Sequence, residues 1–238
     1  MAPNPADTAN SNWQLNRDDK GVAWLIFDKA GASTNVLSGH IMVELEERLR
    51  ELEQHPPAAV VVKSAKPSGF VAGADIKEFT GLESPAQAFD LIRRGQLVLD
   101  KLDRLPCPTV AAVHGFALGG GLELALACDY IVAADDPRTS LGLPEVNLGI
   151  HPGFGGTVRS VQKMGVVAAM ELMLTGRPFN AKKARATGLV DKTVPADQLD
   201  DAAAHLALNP PGKHRAPLPQ QLLNLPGARH VFSKVLEK

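Results

Sequence analysis

Four short runs of apolar and β-branched residues mark the first half of the chain: Gly21-Val22-Ala23-Trp24-Leu25-Ile26-Phe27, residues 58–63, residues 109–114 and residues 130–134. Their length and almost continuous hydrophobicity predict strands buried on both faces. Between the first two, Met42, Leu45, Leu49 and Leu52 recur at helical spacing behind a start signal at Ser38. Between the next two, Ser84-Pro85 opens a second helical pattern with Phe89, Ile92, Leu99 and Leu102 on its inward face. Strands that alternate with helices predict an α/β fold with the helices packed on sheet faces.

The pattern breaks after about Ala207. Residues 209–219 are Pro-rich and basic without periodicity, and Val231, Phe232, Val235 and Leu236 could line one face of a short terminal helix. The expected organisation is a disordered segment over 1–12, one domain over 13–207, and a connector leading into a truncated C-terminal region over 208–238. With 238 residues, one sizeable core is well within reach.

Three segments between the regular elements carry candidate chemistry. In the first, His114-Gly115-Phe116-Ala117-Leu118-Gly119-Gly120-Gly121-Leu122-Glu123, a strand runs into three consecutive glycines and then a helix-forming stretch. Such a turn lets the backbone approach a ligand and aims helix N-terminal N–H groups at it, which suits an oxyanion. The glycine spacing fits neither the dinucleotide nor the triphosphate fingerprint. Glu123, one turn into an otherwise apolar helix, is a buried carboxylate that is costly unless paired or reactive. Its bland alternative is a bond within its own helix.

The second segment, residues 141–157, is dense in Gly and Pro yet apolar, which predicts an ordered loop holding Glu145 without a local partner. A surface acid is the competing possibility there. In the third, residues 68–78, small residues lead into a helix near Asp75, an expected N-cap, and leave the Ala74 N–H free to face a ligand; a plain strand-to-helix turn would look the same. His114 and His151 have no Ser, Cys or metal-ligand partner at a recognisable spacing and are not expected to act as bases.

Composition narrows the partners. A net charge of −1 gives no footprint for nucleic acid or an anionic membrane surface. Glu123 and Asp129 interrupt the longest apolar run, so no membrane insertion is expected, and the N-terminal residues have no signal-peptide pattern. Cys107 and Cys128 sit in apolar surroundings without metal-ligand spacing, as in a cytoplasmic protein.

Taken together, Ala72-Gly73-Ala74-Asp75-Ile76, residues 114–125, Gly142-Leu143-Pro144-Glu145-Val146-Asn147-Leu148-Gly149 and residues 152–157 resemble the enoyl-CoA hydratase/isomerase (crotonase) family. The resemblance runs from about Trp13 to Val194. It is nearest to the N-terminal module of bacterial fatty acid oxidation complex alpha subunits. It implies the crotonase (ClpP-like) fold, a superhelix of ββα units with helices around stacked sheets. It also implies an oxyanion hole from the N–H groups of Ala74 and Gly120, and Glu123 and Glu145 as the catalytic carboxylates. The substrate would lie against Ala72, Gly73, Asp75, Ile76, Gly119, Pro144 and Gly153.

The implied reaction is hydration of 2-enoyl-CoA to 3-hydroxyacyl-CoA in fatty acid β-oxidation, with 3,2-enoyl-CoA isomerisation as a second capacity. No cofactor and no metal are expected; coenzyme A would belong to the substrate, and no NAD site is foreseen. Beyond the acyl-CoA, a thiolase subunit and a dehydrogenase module are the candidate partners. Two alternatives remain open at this stage. One is another crotonase-type acyl-CoA isomerase or hydrolase, and the other is an acyl-CoA-binding module inactive without its C-terminal part.

Overall fold

The computed structural model describes residues 11–81 and 83–212. Its strands are β1 (Trp13–Arg17), β2 (Val22–Phe27), β3 (Ala59–Ser64), β4 (Gly69–Val71), β5 (Thr109–Val113), β6 (Phe116–Leu118), β7 (Tyr130–Ala134), β8 (Ser140–Gly142) and β9 (Lys192–Val194). Its helices are α1 (Gly39–Gln54), α2 (Ile76–Thr80), α3 (Pro85–Asp103), α4 (Gly120–Leu126), α5 (Gly156–Met164), α6 (Val166–Thr175), α7 (Ala181–Ala186) and α8 (Leu199–Leu208).

The four apolar runs become β2, β3, β5 and β7, neighbours in a six-stranded sheet of order β1-β2-β3-β5-β7-β9. Only the β1–β2 pair is antiparallel. Both faces of this sheet are covered. Ala23, Leu25, Phe27, Val60, Val62, Ala111 and Val113 join the main core with α1 and α3. Val22, Ala59, Val61, Val110, Ala112 and Val132 face the opposite way, under Leu199, Ala203 and Ala207 of α8. This two-sided burial explains why the runs read as continuous apolar stretches rather than as an alternation.

A second, three-stranded parallel sheet has the order β4-β6-β8. The chain therefore repeats one unit three times, as β3-β4-α3, β5-β6-α4 and β7-β8-α5. In each, the first strand enters the large sheet and the second the small one. All three segments with candidate chemistry leave the C-terminal ends of β4, β6 and β8, so the small sheet gathers them at one edge.

Helix α1 buries Met42, Leu45, Leu49 and Leu52 as its periodicity predicts. Its Ser38 cap makes no side-chain bond to the helix; the Glu78 carboxylate accepts the Gly39 N–H instead, at 2.9 Å. Helix α3 starts as expected, with Ser84 accepting the Gln87 N–H and Pro85 in the first turn. One inward position is corrected: Leu99 and Leu102 are fully buried, but Phe89 is 68% exposed. It sits near the start of α3, before the buried positions of that helix, which begin at Gly95. Strand β1 has no strand-like pattern of its own and forms because Trp13 stacks on Phe27, with ring centroids 4.3 Å apart.

Ser11 and Asn12, placed by the sequence in a disordered segment, are instead tied to the Glu44 carboxylate. The rest of that expectation, and the connector beyond Gly212, lie outside the described residues. Among the described residues no helix is long and apolar enough to cross a membrane.

Candidate active site

Glu123 lies in the first turn of α4 with 2% of its surface exposed. Its Oε1 accepts two backbone N–H bonds, from Phe154 at 2.7 Å and Gly156 at 2.8 Å. Burial pushes its carboxyl up to about 7, because desolvation penalises the charged form more than those two donors favour it. The nearby Glu145 carboxylate adds to the rise.

Glu145 sits in a 3₁₀ turn, Pro144–Leu148, rather than in an irregular loop. It is 9% exposed, and its buried Oε2 has no hydrogen-bond partner among the described residues. Burial raises its carboxyl as well. The two acids thus come from successive ββα units, and both are held where ionising either one is disfavoured.

The glycine turn between β6 and α4 sets their spacing. Gly119 has φ +51°, and a Cβ built on it would lie 3.2 Å from Glu145 Oε1. A side chain here would meet both backbone strain and the carboxylate. Beside it, a Cβ on Gly120 would lie 3.3 Å from the Ala74 nitrogen, so the two main chains come into near contact. No hydrogen bond within the described residues takes up the Ala74 N–H. The neighbouring groups do have partners: Leu37 N–H donates to Gly73 O at 2.8 Å, and Asp75 N–H to Leu37 O at 2.7 Å. At the start of α4 the first bonds run from the N–H groups of Leu122 and Glu123 to Gly119 O, which leaves the Gly120 N–H unpaired too. Two free donors thus lie side by side next to two buried carboxylates.

These groups open into a cavity of about 410 Å³. Ala72, Gly73, Ala74, Ile76, Gly119, Gly120, Pro144 and Gly153 line it with Glu123 and Glu145, so the structure assembles most of the residues that the resemblance implies. Asp75 is the exception. Its side chain turns away to pair with Lys29 at 3.6 Å and to accept the Lys77 N–H. Ile92, Leu148, Ile150, His151 and Phe154 complete the wall.

The two N–H donors to Glu123 were not foreseen. Backbone donors leave no residue-type signal, and only the Gly155-Gly156 pair hints at close approach: a Cβ on Gly156 would lie 2.9 Å from Glu123 Oε1. His151 reaches the cavity from the same loop, with Nδ1 bonded to the carbonyl of Pro152 at 3.0 Å. His114 lines a different cavity and bonds to the Lys66 carbonyl.

Comparisons with known proteins agree with this geometry. The family model described as enoyl-CoA hydratase/isomerase matches residues 17–215. A Vibrio cholerae protein named fatty acid oxidation complex subunit alpha is 41% identical over 237 residues, covering 96% of this chain and 34% of its own length. Its Aliivibrio fischeri counterpart is 40% identical over 201 residues, covering 84% of this chain and 29% of its own. The chain thus spans about a third of the length of these curated relatives.

Among solved structures, an enoyl-CoA hydratase from Bacillus anthracis superposes with a TM-score of 0.76 at 35% identity, covering 83% of this chain and 76% of its own. One from Geobacillus kaustophilus reaches 0.77 at 26% identity, covering 97% and 95%. With the family model matching residues 17–215 and its motifs gathered around one cavity, this chain belongs to the enoyl-CoA hydratase/isomerase family.

Proposed function

We propose that the chain hydrates 2-enoyl-CoA thioesters to 3-hydroxyacyl-CoA in fatty acid β-oxidation. The observation that carries this is the juxtaposition of two unpaired N–H donors, at Ala74 and Gly120, with two buried carboxylates in one cavity. Addition of water at the β-carbon drives charge onto the thioester oxygen. Fixed donors there stabilise the enolate, and losing one such donor costs about 3 kcal/mol. The Gly120 N–H lies at a helix N-terminus, whose partial positive charge acts in the same direction.

One carboxylate must then take a proton from water while the other delivers one to the α-carbon. Oε1 of Glu123 is already occupied by two donors, which fixes the group and leaves Oε2 for the attacking water. Oε2 of Glu145 has no donor and is the atom to carry the proton for the α-carbon. Hydration needs Glu123 ionised and Glu145 protonated at the moment of reaction, and two neighbouring carboxyls that both resist ionisation can share a single proton in that way. The same pair can move a proton between the α- and γ-carbons, so 3,2-isomerisation fits the site as well.

Coenzyme A enters as part of the substrate, and the chemistry asks for no other group. The names of the relatives support the further proposal that the chain works within a fatty acid oxidation complex. A dehydrogenase module and a thiolase subunit are the partners that the sequence resemblance implies there. Two free, buried cysteines fit a cytoplasmic setting.

The test is the fall in enoyl-thioester absorbance when the purified chain meets crotonyl-CoA, beside a Glu123→Gln control. Decay that disappears in the control is the expected result. No decay with the unaltered chain, under conditions where it binds CoA thioesters, would sink the proposal.

A further inference from the structure

Next to the catalytic cavity lies a second one of about 240 Å³, walled mainly by apolar side chains, Leu37 and Met42 with Leu91, Leu97 and Val98 of α3, and with Glu46, Glu78 and Arg94 also in its lining. Ala74 and Phe154 border both cavities. The Phe154 ring, 6% exposed, is the divider. A Cβ on Gly95 of α3 would lie 2.7 Å from its Cδ1, and one on Gly120 would lie 3.4 Å from its Cδ2. Two glycines on opposite sides of the ring therefore leave a slot that it fills.

The backbone carrying the ring is pinned on three sides. The Phe154 N–H donates to Glu123, its carbonyl accepts from Arg159 Nη1 at 3.0 Å, and the Gly153 carbonyl accepts from Gln96 Nε2 at 2.8 Å. All three bonds use main-chain atoms at this loop, so shortening the side chain leaves them in place. Gly120 faces both the ring edge and the Ala74 nitrogen. The ring thus stands next to the pocket for the thioester carbonyl, where the acyl chain begins.

We propose that Phe154 is a specificity-determining residue that limits acyl length. Its ring closes the catalytic cavity against the second one, which accepts the distal methylenes of a longer chain once the wall is opened. This rests on the acyl-thioester function proposed above. The occupant follows from the adjacency of the two spaces: the second cavity is mainly apolar, and Ala74 and Phe154 are the residues it shares with the reacting site.

The experiment compares kcat/KM for 2-decenoyl-CoA and crotonyl-CoA in the unaltered chain and in Phe154→Ala. The ratio of long to short substrate should rise about tenfold or more, since even one methylene in an apolar pocket is worth about that factor. Adding Leu91→Trp, which plugs the second cavity, should return the ratio to that of the unaltered chain. A folded Phe154→Ala protein whose ratio stays within about twofold of the unaltered chain overturns the proposal, as does a gain that survives the plug.

If Phe154→Ala does not fold, Phe154→Leu tests the same wall with less volume removed, and an unchanged ratio there counts equally against it. Calorimetric affinities for decanoyl-CoA and butyryl-CoA, read on the same proteins, need no turnover. Should the unaltered chain fail to hydrate crotonyl-CoA, hydration falls, while the change in relative affinity still decides the role of Phe154.

Discussion

At the scale of single residues, the site turns on how burial treats two carboxylates. Glu123→Gln keeps a side-chain oxygen able to accept the Phe154 and Gly156 N–H bonds, so it removes the proposed base with little change in shape. Hydration of crotonyl-CoA should fall by about 10²–10⁴-fold, the usual range for a lost acid or base, as checked by the absorbance assay. In the unaltered chain the acid limb of kcat/KM should lie near pH 7, where Glu123 takes up its proton.

The same group makes a stability prediction of definite sign. Between its ordinary carboxyl value and about 7, the folded chain holds a proton on Glu123 that the unfolded chain has released. That contribution to stability is complete in acid and is lost as the pH rises through about 7. Glu123→Gln should match the unaltered protein near pH 4 and exceed it near pH 8, by on the order of 3 kcal/mol. Thermal melts at the two pH values measure this; a gap that narrows with rising pH would contradict the burial argument.

At the scale of elements, the short helix α4 and its glycine turn set the geometry. Gly121 packs so close to β4 that a Cβ would clash with the Val71 carbonyl and stand 2.7 Å from Val71 Cβ. Val71 leads directly into the Ala72–Ala74 turn, so separating the two elements would pull the Ala74 N–H away from Gly120. Gly121→Ala should lower stability by about 1–3 kcal/mol through overpacking and also lower kcat. Denaturant melts together with turnover at saturating substrate check both halves. Normal kcat in a destabilised protein would show that the donor pair does not depend on this contact.

At the scale of the whole molecule, α8 is the only described helix of the outer-face cluster, and it covers Val22, Ala59, Val61 and Val110 from the far end of the domain. The Tyr130 hydroxyl donates to the Pro211 carbonyl just beyond that helix. A chain ending at Gln198 would expose this face of the large sheet. It should lose several kcal/mol, given roughly 2 kcal/mol for each buried Leu-sized side chain, and tend to aggregate. Melting temperature and sedimentation of the shortened chain measure this, and an unchanged melt would mean that α8 adds nothing to the core.

The sequence by itself determined the elements whose pattern reflects burial: strands β2, β3, β5 and β7, the helices α1 and α3, and the identity of Glu123 and Glu145 as acids in apolar surroundings. Burial on both sheet faces leaves a continuous hydrophobic run, and a buried acid stands out against such a run. The family motifs also marked the Ala74 and Gly120 turns. Only the tertiary structure decided what depends on residues distant in sequence: β1 docking through Trp13 on Phe27, the Phe154 and Gly156 N–H groups closing on Glu123, and Asp75 turning to Lys29 instead of the cavity. The exposed Phe89 and the walled-in Phe154 make the same point, since two identical side chains meet opposite fates according to what the fold sets against them.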